Sequence, residues 1–126
     1  VGEDRVAAAR RLAERAEAVV VLKGSRTVVA DPTGHAAVNP TGGPWLATAG
    51  TGDVLSGIVA ALAAMGLPAF RAAAAGAWLH GRAADVAGHA GLVAGDLIDA
   101  LPIVLAGLAA PEGRDADRPN RPNPSR

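Results

Sequence analysis

Val19-Val20-Val21-Leu22 is an apolar run with no polar alternation, and it stops abruptly at Lys23-Gly24. A run of this kind reads as a strand covered on both faces, as in a parallel sheet. The chain around it must therefore provide layers. Glu3 to Ala18 provides one, as an amphipathic helix with Val6, Ala9, Leu12, Ala13 and Ala16 on one stripe and Arg10, Arg11, Glu14 and Arg15 outside it. After the strand, Arg26–Ala30 and His35–Val38 flank Asp31-Pro32-Thr33-Gly34. Pro and Gly at these offsets are turn chemistry, which predicts a β-hairpin.

Asn39 to Gly52 reads as a loop of small and turn-forming residues. Asp53 to Met65 follows as a helix with Val54, Leu55, Ile58, Val59 and Leu62 on one face, ended by Gly66-Leu67-Pro68. A second, Ala-rich helix starts at Pro68 or Ala69 and runs to about Ala87, where Gly88 to Gly95 forms a loop. Asp96 to Leu108 is a last helix, with Pro102 tolerated through a kink or a late start. Helix, strand, hairpin, loop and three helices predict an α/β layered architecture. One strand and a hairpin cannot bury three helices, so further strands are expected before Val1. The opening Val1-Gly2-Glu3-Asp4-Arg5 carries neither an initiator Met nor a signal peptide, and the sequence reads as cut on its left. From Pro111 the composition turns to Pro, Arg, Asp and Asn, so 1–110 is expected to fold and 111–126 to be a disordered tail. No internal repeat is visible.

Composition narrows the function. Lys plus Arg and Asp plus Glu number 12 each, which excludes a generally basic nucleic-acid binder and an acidic solvating tail. Ala supplies 31 residues, against one Phe, two Trp and no Tyr, so the core is expected to be thin. The absence of Cys rules out disulfides and thiolate metal sites, and three scattered His do not make a structural zinc site. Val54 to Phe70 is uncharged, but Gly57, Gly66 and Pro68 interrupt it, so it reads as a buried helix and a turn, not a membrane span.

The chemistry concentrates in Asn39-Pro40-Thr41-Gly42-Gly43-Pro44-Trp45-Leu46-Ala47-Thr48-Ala49-Gly50-Thr51-Gly52-Asp53. Ala49-Gly50-Thr51-Gly52 stands directly before a long helix. Glycines permit a tight turn and leave no Cβ to block a ligand. The first N–H groups of the helix point outward at the positive end of its dipole, so a phosphate is the natural guest. Asp53 has two readings: a carboxylate that merely complements the dipole, or a base that takes the proton of an attacking hydroxyl. Lys23, at the carboxyl end of the strand, either reaches a second phosphate or is simply solvated. Thr27 either bonds the same anion or is an ordinary strand residue.

His35 in the hairpin and His89 in a Gly-rich loop carry no assignment, and His80, beside Trp78 and Leu79, reads as a core or interface histidine. Ser56 has no evident base, so no Ser-His-Asp set is indicated. Trp45 either stacks on an adenine or covers the loop. No Gly-Lys-Ser/Thr follows the glycines, and no third Gly completes a dinucleotide fingerprint.

Val21-Leu22-Lys23-Gly24-Ser25-Arg26-Thr27, Val38-Asn39-Pro40-Thr41-Gly42 and Leu46-Ala47-Thr48-Ala49-Gly50-Thr51-Gly52-Asp53-Val54-Leu55-Ser56-Gly57 closely resemble the ADP/ATP-dependent NAD(P)H-hydrate dehydratases of the ribokinase-like superfamily. The resemblance runs from about Val1 to Leu108. Gly-x-Gly-Asp alone marks the superfamily, while Asn-Pro-Thr-Gly and the Ala-Thr-Ala before the turn mark this branch. It implies the C-terminal portion of a ribokinase-like three-layer fold, with a parallel strand, a β-hairpin and packed helices.

The implied activity is repair of hydrated NADH or NADPH by phosphorylation of the ring hydroxyl and loss of phosphate. By resemblance, Lys23, Gly24, Ser25, Arg26 and Thr27, together with Thr48, Ala49, Gly50, Thr51 and Gly52, hold the nucleotide. Asp53 meets the substrate and acts as base. The donor is ADP or ATP, with Ala, Gly and Arg usage pointing toward ADP, and Mg²⁺ comes with it, bound mostly through phosphates and water. A cytoplasmic location and a homo-oligomer of the full-length protein are expected, without nucleic-acid or membrane partners. Two departures stand out: Trp45 occupies a position expected to be smaller, and the family's earlier strands are absent. The chain alone is therefore expected to be inactive or marginally folded. The alternatives are a small-molecule kinase of the same superfamily and a nucleotide-binding fragment without chemistry.

Overall fold

In a computed structural model the chain is described over residues 3–109. Its elements in order are α1 (Glu3–Ala16), β1 (Val20–Leu22), β2 (Val28–Ala30), β3 (Ala36–Val38), a 3-10 turn (Pro44–Leu46), α2 (Thr51–Ala64), α3 (Ala69–Ala87) and α4 (Ala94–Ala109). Every expected element is present with ends shifted by a few residues, and the 3-10 turn was not foreseen. The tail expected to be disordered, 111–126, lies outside the described residues.

The sheet order is β1-β2-β3, both pairings antiparallel, with Val20 opposite Ala30 and Val28 opposite Val38. This corrects the reading of Val19–Leu22 as a strand of parallel type within these residues. Lys23–Thr27 is too short to carry the crossover that a parallel neighbour requires, so β1 turns straight back into β2. It also corrects which strand is most deeply covered. β1 is a half-buried edge, whereas β2 is central and wholly buried.

Alternation along β2 separates two cores. Val28 and Ala30 face α1, packing on Ala9 and Ala13 with Val6, Val20 and Leu22 around them. Val29 faces the other way, onto Leu55 of α2 and Ala73 and Ala77 of α3. A third cluster joins α3 to α4 through Leu79, Ala83, Ala84, Leu97, Ala100 and Val104, with Leu92 of the connecting loop. The helical side is thus itself two elements deep. Small residues make this possible: a Cβ on Gly76 would lie 2.6 Å from Val59 Cγ2.

Pro102 sits inside an uninterrupted α4, which starts earlier than expected, at Ala94. Its missing N–H removes the bond to the Ile98 carbonyl, but Ile98 and Pro102 are both exposed, so water can serve that carbonyl. Among the described residues no helix is long and apolar enough to cross a membrane.

Candidate functional site

The loop from β3 to α2 is held in place by the Asn-Pro-Thr-Gly stretch. Asn39 is buried, and its Nδ2 donates to the Ala77 carbonyl of α3 (2.9 Å) and to the Thr41 carbonyl (3.2 Å). Its Oδ1 accepts from the Thr41 N–H at 3.2 Å. The Thr41 hydroxyl lies within reach of two acceptors, Asn39 Oδ1 (2.9 Å) and the Trp78 carbonyl (3.0 Å). Thr41 lies so close to Gly81 that any Cβ there would overlap it. The motif therefore acts as a bolt between loop and helix.

Past that bolt the chain makes the 3-10 turn and enters α2 through Gly50, whose φ of +84° favours glycine. The buried Thr51 hydroxyl has the Leu46 and Thr48 carbonyls as acceptors at 2.8 and 2.9 Å. The Thr48 hydroxyl donates to the Trp45 carbonyl at 3.1 Å. Of the three threonines expected to hold the nucleotide, Thr48 and Thr51 thus have their hydroxyls engaged within the loop.

The backbone donors divide. Thr51 N–H turns back to the Thr48 carbonyl, and the Asp53 and Val54 N–H groups turn back to Gly50. The N–H groups of Ala49, Gly50 and Gly52 find no acceptor among the described residues.

Lys23 reaches this point from the end of β1. Its Nζ stands 3.4 Å from Thr51 Oγ1, and a Cβ on Gly52 would lie 3.7 Å from it. Arg5 of α1 supports the turn from behind: Nη2 donates to the Lys23 carbonyl at 2.9 Å, and the guanidinium covers Gly24. In front lies a cleft of about 410 Å³, lined by Lys23, Gly24, Ser25 and Thr27 and by Gly43, Pro44, Leu46 and Ala47, with His80 also in its wall. Arg26, the remaining member of the expected set, is exposed and does not line it.

Sequence reasoning placed His80 in the core or an interface, and it is buried, but it also lies against the site. Its Nε2 sits 2.7 Å from the Thr51 carbonyl. A carbonyl only accepts, so Nε2 carries the proton and Nδ1 is bare in the neutral ring. Burial first, and the Lys23 ammonium after it, hold its pKa below the ordinary histidine value, with the bond to Thr51 opposing them. Arg5 and His80 were missed because each acts on a residue far along the chain. The only local sign of either is an unusual position: an arginine before the apolar stripe, a histidine inside an alanine-rich one.

Asp53 does not line the cleft. It is exposed in the first turn of α2 and lines a different, apolar groove formed with Val54, Gly57, Ile58, Ala61, Ile98 and Leu101. Its carboxylate makes no hydrogen bond to the helix start, so a capping bond does not occupy it. Among the described residues, no three His, Cys, Asp or Glu side chains converge on a point. The described residues thus build no protein cage for a metal.

A family model described as NAD(P)H-hydrate dehydratase matches residues 1–103. The bifunctional NAD(P)H-hydrate repair enzyme Nnr of Moorella thermoacetica is 52% identical over 112 residues, covering 86% of this chain and 21% of that protein. The ADP-dependent (S)-NAD(P)H-hydrate dehydratase of Neisseria meningitidis is 50% identical over 115 residues, covering 90% and 36%. Among solved structures, the ADP/ATP-dependent NAD(P)H-hydrate dehydratase of Bacillus subtilis, co-crystallised with ATP/Mg²⁺, superimposes with a TM-score of 0.78 at 34% identity, covering 83% of this chain and 39% of that one. The chain thus spans from about a fifth to two fifths of the length of these relatives.

Proposed function

The chain belongs to the NAD(P)H-hydrate dehydratase family, and from that premise we propose that it carries the nucleotide-binding side and the general base of an ADP- or ATP-dependent enzyme that returns hydrated NADH and NADPH to their working forms. The observation that carries this reading is the meeting of Lys23 Nζ with the start of α2, 3.4 Å from Thr51 Oγ1, at the head of the cleft. A flexible ammonium and the free N–H groups of Gly50 and Gly52 suit the terminal phosphates of a nucleotide. Ser25 and Thr27 add hydroxyl donors along the same wall.

Asp53 then stands in the first turn of α2, where a hydroxyl substrate would arrive. Its carboxylate takes the hydroxyl proton as that oxygen forms a bond to the terminal phosphorus, and the bond from phosphorus to the nucleotide leaving oxygen breaks. The second stage breaks the ring carbon–oxygen bond and loses a proton from the neighbouring carbon, forming the carbon–carbon double bond. Phosphate leaves far more readily than hydroxide, which is the reason for the first stage. Mg²⁺ bound through the phosphates would neutralise charge on the transferred group. A cytoplasmic location follows from the substrate, because dinucleotide and adenine nucleotide pools are held there.

Set in a protein of its relatives' length, the chain is tested by incubation with hydrated NADH plus ADP or ATP, through the return of dihydronicotinamide absorbance. A kinase would instead accumulate a phosphorylated product without that absorbance. Asp53→Asn separates chemistry from binding: repair is lost while ADP still binds. A protein that only binds nucleotide would keep every measured property in that variant except affinity. Repair by residues 1–126 on their own would overturn the expectation that these residues alone are inactive.

A further inference from the structure

The turn Pro44–Leu46 forms part of the cleft wall, and its own loop ties it through the Trp45 and Leu46 carbonyls, which accept from the Thr48 and Thr51 hydroxyls. Trp45 adds a tie of another kind, to the loop between α3 and α4. Its side chain does not line the cleft; it lies against the α3–α4 cluster with its indole stacked on the His89 ring, centroids 3.7 Å apart and planes inclined by 21°. On its own loop the indole lies against Gly43 so tightly that a Cβ at that position would overlap it. The ring is thus clasped between the Gly43 backbone and the imidazole. His89 belongs to the loop between α3 and α4, with its Nε2 4.0 Å from Asp85 Oδ1.

We infer that His89 is a positioning residue of the nucleotide cleft, acting through Trp45: the stacked pair helps fix the turn whose residues Pro44 and Leu46, with Ala47, line the cleft together with Lys23 and Thr27. The inference rests on the nucleotide reading above. Neither side chain touches the cleft, so the effect is one of preorganisation. When the wall is held only part of the time, apparent affinity falls by the fraction of time it is formed.

The test measures ADP binding by calorimetry alongside Trp45 emission in a Trp78→Phe background, where Trp45 is the one indole. His89→Ala is expected to weaken ADP binding about two- to tenfold, the scale set by loss of one aromatic stack. It should also shift Trp45 emission to the red as the ring gains water. His89→Phe, which can still stack, should restore both. His89 is exposed, so its replacement leaves the core intact. Should the alanine variant nevertheless fail to fold, His89→Asn takes its place with the same two readouts. A red shift with unchanged ADP affinity would overturn the positioning role and leave the nucleotide reading standing. Emission unchanged in the alanine variant would show that no stack exists to do the positioning. Failure of the unsubstituted protein to bind ADP at all would remove the nucleotide reading itself, and this inference with it.

Discussion

Lys23 is an exposed ammonium at a strand end, which by itself is the commonest situation for a lysine. What distinguishes it is the Thr51 hydroxyl 3.4 Å away and the open backbone at Gly52 beside it. Lys23→Met should therefore weaken ADP binding about tenfold or more, the scale of one charge-assisted phosphate contact, with little change in thermal midpoint. His80 yields a prediction with a sign. Burial holds its pKa below the ordinary value of about 6.5, so the unfolded chain takes up a proton that the folded chain resists. Stability from this source is complete above that ordinary value and is lost as pH falls from there through the lowered folded value. Urea midpoints measured across that window should fall for the native protein and stay flatter for His80→Gln. Asp31, held low chiefly by its hydrogen bond from Thr33, gives the same sign at lower pH, where carboxylates titrate, so the two windows are separable. Lys23, and Thr27 beyond it, were legible as site candidates because a strand end is a known address for ligands, whereas Gly24 and Ser25 came only from the family resemblance. Arg5 and His80 were not, since their partners, Lys23 and Thr51, lie far off in sequence.

At the level of elements, the entry into α2 depends on one backbone angle. Gly50→Ala puts a Cβ in the left-handed region at φ +84°, where it would also stand 3.1 Å from Ala94 Cβ. We expect a cost of roughly 1–2 kcal/mol, read as a lowered urea midpoint, with ADP affinity falling because the Gly52 donor moves. The Asn39–Thr41 bolt offers a second case. Asn39→Ala leaves the buried Ala77 carbonyl and the half-buried Thr41 N–H without their bonds, and about 1–3 kcal/mol should be lost. Asn39→Asp keeps the acceptor but not the donor, so it should recover only part of that loss. Asn-Pro-Thr-Gly was legible as a mark of kinship, but its task was not. Nothing local says that an asparagine will donate to a carbonyl in the middle of a helix 38 residues later. The sheet teaches the converse lesson. The run at Val19–Leu22 has side chains meeting both layers, as its pattern implies, yet strand order puts it at the edge and leaves it half-exposed, while β2 takes the centre.

On the scale of the whole molecule, three small cores hold thin layers together, and Leu97 is the largest side chain fully buried. Leu97→Ala should cost about 3–5 kcal/mol, a large share of the net stability of a small domain, and should collapse the urea transition. The helices to within a few residues, the hairpin and the layered class were determined by the sequence, since periodicity and turn residues are local properties. Only the tertiary structure decided that Lys23 comes up to the start of α2, that Asp53 opens on a different groove from the cleft, and that the Trp45 indole stacks on His89. Those are distances between side chains many residues apart, set by how layers stack rather than by any segment's own preference.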